Sequence, residues 1–228
     1  MTNVNGKIVM FVKIEKVNIS TIKLRIKFLK KSLTRSIMNC GTLKVILGCM
    51  FSGKTTALIR EFREWSSIKK KPLCINYIGD DRYGNVCENN MYNHNLLSVE
   101  CIHVSKLEEV TDELVRGSDI ILINEGQFFP DLVKFCQKWC ESYGKNIVVC
   151  GLDGDYKREM FGEILKLIPL ADSVEKLNAF CAKCADGTRA HFTHRCSKET
   201  EQIVIGSSNY IALCRNCYKQ STDDKPFI

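Results

Sequence analysis

Leu43-Lys44-Val45-Ile46-Leu47-Gly48-Cys49-Met50-Phe51-Ser52-Gly53-Lys54-Thr55 decides how the rest of the chain is read. Its first five residues, apolar but for Lys44, predict a buried strand, and the residues from about 55 to 69 predict a helix. Between them, Gly48-Cys49-Met50-Phe51-Ser52-Gly53-Lys54-Thr55 fits GxxxxGK followed by Ser or Thr at every fixed position. Such a loop curls backbone N–H groups around phosphate oxygens. Glycine sits where the chain must approach closely, and the helix N-terminus adds positive potential. Lys54 is placed to reach the β and γ phosphates of a nucleoside triphosphate, and Thr55 to ligate its Mg²⁺. The pattern by itself serves kinases, ATPases and GTPases alike.

Working outward, further strands are predicted at residues 73–78, 119–124 and 146–151, and helical patterns at residues 105–116 and 131–143. The alternation predicts an α/β domain over residues 38–177, built on a mostly parallel sheet with functional loops at the carboxyl ends of its strands. Ile120-Ile121-Leu122-Ile123-Asn124-Glu125 sets two polar residues directly after a buried strand. Phosphate-loop proteins usually carry a Mg²⁺-directed acid there, and this chain has Asn124 followed by Glu125. A carboxylate beside a γ-phosphate can take the proton of an attacking hydroxyl or water, typically contributing about 10² to 10⁴ in rate. A structural Glu paired with Arg, or capping the next turn, is the alternative.

After residue 177 the texture changes to paired cysteines, Gly, Ser and short polar turns. This predicts a second, smaller module at residues 178–220, followed by a short tail at 221–228. Cys181-x-x-Cys184 and Cys214-x-x-Cys217 are two knuckles whose four thiolates suit a tetrahedral structural Zn²⁺. His191, His194 and Cys196 lie between them as competing ligands, but four matched cysteines explain a closed site more economically. The chain has 13 cysteines, the rest mostly scattered through apolar segments, and no signal peptide is apparent. A reducing compartment is therefore expected. No apolar run approaches the roughly 18 residues needed to span a bilayer, so a soluble intracellular protein is expected.

The formal charge of +7 is unevenly placed. Residues 1–37 hold nine Lys/Arg and one Glu, whereas the rest holds 24 Lys/Arg and 25 Asp/Glu. The body of the protein therefore lacks the basic excess that phosphate-driven nucleic-acid binding needs. Residues 1–37 alternate apolar and basic side chains, as in Ile22-Lys23-Leu24-Arg25-Ile26-Lys27-Phe28. They are read as a poorly ordered extension, or as the product of an upstream start with Met38 as the true one. An edge strand, a targeting sequence and a polyanion-binding arm are the other readings.

Asn124-Glu125-Gly126-Gln127-Phe128-Phe129-Pro130-Asp131 resembles the D-E-G-Q-F-F-P-D signature of type II thymidine kinases, the cytosolic animal and poxvirus group. The resemblance continues through the phosphate loop, Asp80-Asp81-Arg82-Tyr83, Leu152-Asp153-Gly154, Phe161-Gly162 and both cysteine pairs, spanning roughly residues 41–218. It implies transfer of the ATP γ-phosphate to the 5′-hydroxyl of thymidine, with Glu125 as general base, Arg82 stabilising the transferring phosphoryl group and Asp80 helping to organise the Mg²⁺. It also implies that Met50, Phe51, Leu152, Tyr156, Phe161 and Tyr210 surround the nucleoside. Backbone groups near Val204 and Ile205 would contact the base from a zinc-anchored lasso loop over about residues 189–210. A homotetramer and feedback inhibition by dTTP are implied as well. Two positions depart from the family pattern. Asn124 replaces Asp, and Asn178 stands where a Thr usually lines the methyl side of the pocket, which touches the preference for thymidine over deoxyuridine. A deoxynucleoside kinase of broader base tolerance is the nearer rival reading. A zinc-containing ATPase that holds nucleic acid is the more distant one.

Overall fold

The computed structural model describes residues 3–4, 7–8, 40–79, 90–92, 98–204, 206 and 208–223. The chain divides into two units, Met1–Asn39 and Cys40–Ile228. In the first, β1 (Asn3–Val4) pairs antiparallel with β2 (Lys7–Ile8). What was expected of the rest of residues 1–37 lies outside the described residues.

The second unit is organised by β3 (Leu43–Gly48), β4 (Pro72–Tyr77), the antiparallel pair β5 (Asn90–Tyr92) and β6 (Ser98–Glu100), β7 (Ile102–Val104), β8 (Ile120–Ile123), β9 (Asn146–Gly151) and β10 (Ser173–Leu177). Six of these form one sheet in the order β10-β3-β9-β8-β4-β7, and every pairing within it is parallel. Alternating side chains split the central strands between two cores. Val45, Ile121, Ile123 and Val149 pack with Leu132, Phe135 and Trp139 on one face. Ile46, Ile120, Leu122 and Val148 pack with Leu58 and Ile59 of α1 (Lys54–Ser67) on the other. Each such burial stabilises by about 1.5–3 kcal/mol, so strands covered on both faces read as the continuous apolar runs seen in the sequence.

Residues 105–116 form two pieces, a 3₁₀ turn at Leu107–Glu109 and α2 (Asp112–Gly117), where the sequence suggested one helix. The division has a local cause. Thr111 caps α2 by accepting a hydrogen bond from the Leu114 N–H at 3.4 Å, and the Asp131 carboxylate accepts from the N–H groups of Leu107 and Glu108 at 3.1 and 2.9 Å. Residues 131–143 become α3 (Leu132–Gln137) followed by a π turn at Lys138–Ser142 around the buried Trp139. The edge strand β10 escaped the sequence reading because its side chains are mostly exposed or half-buried, leaving no apolar run. It is pinned by exchange between Asp172 and Leu43: the Leu43 N–H donates to the Asp172 carboxylate at 2.7 Å, and the Asp172 N–H donates to the Leu43 carbonyl at 2.9 Å.

Beyond β10 lie the antiparallel pairs β11 (Ala179–Phe180) with β12 (Arg189–Ala190) and β13 (Phe192–Arg195) with β14 (Tyr210–Leu213), then α4 (Arg215–Asp223). The carboxyl ends of β3, β8, β9 and β10 thus bring the phosphate loop, Glu125, Leu152 and the cysteine module to one edge of the sheet. Among the described residues no helix is long and apolar enough to cross a membrane.

Candidate active site

The phosphate loop depends on close backbone approach at Gly48. A Cβ there would lie 2.5 Å from the Leu177 carbonyl oxygen and 2.6 Å from Ser52 Oγ. Lys54 Nζ donates to the Cys49 carbonyl at 2.8 Å, drawing the loop into a ring. Ser52 Oγ is buried with no hydrogen-bond partner among the described residues. A buried orphan hydroxyl costs about 1–3 kcal/mol, and a phosphate oxygen would remove that cost. The first turn of α1 holds no acidic side chain, so nothing of its own neutralises the positive helix end.

Glu125 follows β8 in the left-handed region (φ 52°, ψ 45°), a conformation that costs a non-glycine residue on the order of 1 kcal/mol. Its carboxylate lines the cleft although the residue is only 5% exposed. Gln127 Nε2 donates to Glu125 Oε2 at 2.6 Å, while Gln127 Oε1 accepts from the Leu152 N–H at 3.0 Å. Gln127 thereby ties the acid to the end of β9. Its backbone is equally confined, because a Cβ on Gly162 (φ 60°) would lie 1.9 Å from the Gln127 carbonyl oxygen. Phe161-Gly162 therefore permits a backbone contact that any other residue at 162 would block.

Asn124 is buried in a row formed by adjacent strand ends. Its Nδ2 donates to Asn76 Oδ1 at 2.9 Å, its Oδ1 accepts from the Cys150 thiol at 3.1 Å, and Asn76 Nδ2 in turn donates to His103 Nε2 at 3.3 Å. Thr55 lines the cleft itself. Asp80, Arg82 and Ile205 lie outside the described residues.

The cleft encloses about 960 Å³, part of it open to solvent. Met50, Phe51, Leu152 and Phe161 meet Tyr156, Val204 and Tyr210 there, so the described members of the expected pocket converge, with Asn178 the exception. Phe128 stacks on Tyr77 at 4.9 Å and meets Phe161 edge-on at 5.3 Å, which gives the apolar wall fixed ring planes. Asn178 is turned toward His191, whose Nδ1–H donates to Asn178 Oδ1 at 2.6 Å, and does not line the cleft. Thr193 does line it, and its hydroxyl accepts from the Met50 N–H at 3.0 Å. Sequence reasoning missed Thr193, Gln127, Asp155, Arg195 and Gln202. The available signal was the alternation in Phe192-Thr193-His194-Arg195, whose buried members are Thr193 and Arg195. An inward polar pair reads as an outer face when the sequence is taken alone.

The Sγ atoms of Cys181, Cys184, Cys214 and Cys217 all lie within 4.8 Å of one another. Cys184 stands 3.9 Å from Cys214 and 3.5 Å from Cys217, close to the ~3.8 Å between sulfurs on a tetrahedral zinc. The donor set therefore fits a Zn²⁺. The competing candidates stand elsewhere: His191 bonds Asn178, the His194 ring meets Tyr218 edge-on at 5.8 Å, and Cys196 is exposed.

Comparison with known proteins bears on this arrangement. A family model described as thymidine kinase matches residues 41–218. The chain is 42% identical to the cytosolic thymidine kinase of Gallus gallus over 79% of its own length and 78% of the relative's. It is 40% identical to the thymidine kinase of Vaccinia virus (strain Western Reserve) over 81% of its own length and all of the relative's. The same values hold for the thymidine kinase of Monkeypox virus.

Proposed function

The chain belongs to the thymidine kinase family, and from that premise we propose that it transfers the γ-phosphate of ATP to the 5′-hydroxyl of thymidine with Glu125 as the general base. The observation that carries the reading is one cleft holding a tethered, nearly buried carboxylate, a phosphate loop with an orphaned hydroxyl, and an aromatic chamber. Bound deoxyribose presents its 5′-hydroxyl to Glu125, which accepts the proton as the oxygen attacks. Gln127 engages one carboxylate oxygen and so holds the acid at the wall of the cleft. Lys54 and the loop amides hold the β and γ phosphates, and Arg82 neutralises charge on the group in flight. Thr55, with Asp80, would hold the Mg²⁺ that accompanies ATP, which supplies further charge neutralisation, and Asn124, whose amide is taken up by Asn76 and Cys150, would act on the ion only from behind them. The four cysteines would hold a structural Zn²⁺ that anchors the lasso. Met50, Phe51, Leu152, Tyr156, Phe161 and Tyr210 enclose the base, and backbone groups near Val204 and Ile205 are its expected contacts from the lasso.

A cytoplasmic location, a homotetramer and inhibition by dTTP belong to the same proposal as family traits; sedimentation and a dTTP titration test the last two. ATP consumption by the purified protein with each of the four deoxynucleosides, deoxyuridine, RNA or single-stranded DNA tests the function. Thymidine should stimulate turnover most. Equal use of all four deoxynucleosides would favour the broader kinase, and stimulation by RNA or single-stranded DNA alone would favour the ATPase.

Asn124→Asp should lower the Mg²⁺ concentration needed for half-maximal activity and leave the nucleoside preference alone. The substitution adds a negative charge near the metal position. The Cys150 thiol can still donate to the new carboxylate, and Asn76 can turn its amide to do likewise, passing its carbonyl to a His103 protonated on Nε2. Mg²⁺ titration of both forms at fixed ATP is the measurement. An unchanged or higher requirement in the mutant would place the metal elsewhere.

A further inference from the structure

Arg195 ends β13, lines the cleft and is only 3% exposed. A guanidinium carries five N–H donors, and a buried one is costly unless they are satisfied. All five are used here. Nη1 donates to the carbonyls of Glu199 and Glu201, Nη2 to the carbonyl of Gln202 at 3.0 Å and to the Tyr210 hydroxyl at 2.7 Å, and Nε to that same hydroxyl at 3.2 Å. The Tyr210 hydroxyl passes its own proton on to the Val204 carbonyl at 2.9 Å. One face of the guanidinium lies 3.8 Å from the centre of the Tyr156 ring, and the Tyr156 hydroxyl donates to the Thr200 carbonyl at 2.9 Å. Residues 199–204 contain no helix or strand, yet five of their carbonyls are fixed by the side chains of Arg195, Tyr210 and Tyr156.

We propose that Arg195 is the positioning residue that keeps the lasso closed over the nucleoside, acting through the carbonyls of Glu199, Glu201 and Gln202 and the Tyr210 hydroxyl. Opening the lasso would strip three acceptors from the guanidinium and leave only water to replace them, so these hydrogen bonds bias the loop toward closure. The fork is essential to this role, because a lysine ammonium offers three donors at one point and cannot span partners arranged around a plane. The inference rests on the kinase reading for its consequence in catalysis, but the clasp itself is a property of the loop. When closure is only partly populated, the apparent affinity for nucleoside falls by the closed fraction, while a nucleoside already enclosed reacts at its usual rate.

The experiment compares zinc-loaded wild-type enzyme, Arg195→Lys and Tyr210→Phe. It measures KM and kcat for thymidine, KM for ATP, zinc content, and the rate of proteolytic cleavage within residues 196–209 without substrate. Arg195→Lys should raise the thymidine KM by about 10- to 100-fold, change kcat by less than about 3-fold, leave the ATP KM unaltered and accelerate cleavage of the lasso. Unchanged thymidine KM with unchanged cleavage would overturn the proposal. If Arg195→Lys loses zinc or raises both KM values together, Tyr210→Phe decides. Faster lasso cleavage at full zinc content supports the clasp, and cleavage at the wild-type rate rejects it. Should wild-type enzyme fail to phosphorylate thymidine, the kinase reading falls, and the cleavage rates still judge the clasp.

Discussion

Glu125→Gln should lower kcat by about 10² or more while ATP binding stays close to that of the wild type. The substitution preserves volume at a buried position and leaves the phosphate loop on a different strand untouched, so the fold and the triphosphate site should persist. What changes is the polarity of one contact. Gln127 donates to Glu125 Oε2, and its own carbonyl is already committed to the Leu152 N–H, so Gln127 cannot turn over to suit a new donor. The substituted amide must therefore offer its carbonyl to Gln127. Its other end is then an NH₂, a donor where proton transfer needs an acceptor. Single-turnover phosphorylation of thymidine, with ATP affinity measured separately, checks the point. Turnover near the wild-type level would remove Glu125 from the role of base, and loss of ATP binding in parallel would mean that the change acted on the fold.

The parts of this site that the sequence revealed are those fixed by backbone demands and strand context. Gly48 and Lys54 are legible because a phosphate loop tolerates few residues at those places, and the strand before them is a plain apolar run. The paired cysteines are legible because the two-residue spacer is itself the geometry of a metal knuckle. Gln127 and Arg195 were not legible as working residues, since each matters through partners distant in the chain: Gln127 through Leu152, and Arg195 through Glu199, Gln202 and Tyr210. A polar side chain in a sequence carries no mark of which carbonyls will converge on it. The edge strand β10 failed for a related reason, since its place beside β3 is set by pairing and by Asp172, not by an apolar pattern of its own. The neighbourhood of Asn124 lies between these cases. Its place at a strand end was readable, but its bonds to Asn76 and Cys150 come from the lateral order of β4, β8 and β9, which no local pattern encodes.

Removal of zinc, by chelation or by Cys181→Ser, should destabilise the cysteine module by several kcal/mol, which for a chain of this size is on the order of 10 °C in Tm. The pairs β11–β12 and β13–β14 have two and four residues per strand, too short to stand without support. Their core is small: Ala179, Ala190, Ala212, Leu213 and Tyr218 packed around the cysteines themselves. Four sulfurs this close cannot all be thiolates unless a cation lies among them. Burial opposes ionisation of Cys181, yet hydrogen bonds from backbone groups of Cys214, Cys184 and Lys183 outweigh it and hold its pKa at about 6. Cys217 is pushed up to about 12, first by its hydrogen bond with Cys184 and then by burial. Zinc must therefore displace thiol protons, so retention should weaken as pH falls, and a chelator should strip the ion faster near pH 6 than near pH 8. The effect should extend beyond the module. Cys49 Sγ contacts the Ala190 carbonyl at 3.6 Å and the Met50 N–H bonds Thr193, so a loosened module releases two tethers of the phosphate loop. Nucleoside affinity should fall first, as residues 189–210 become open to protease, and ATP affinity should follow. Elemental analysis, protease digestion and both binding curves on one preparation provide the check, and fully active enzyme without zinc would overturn it.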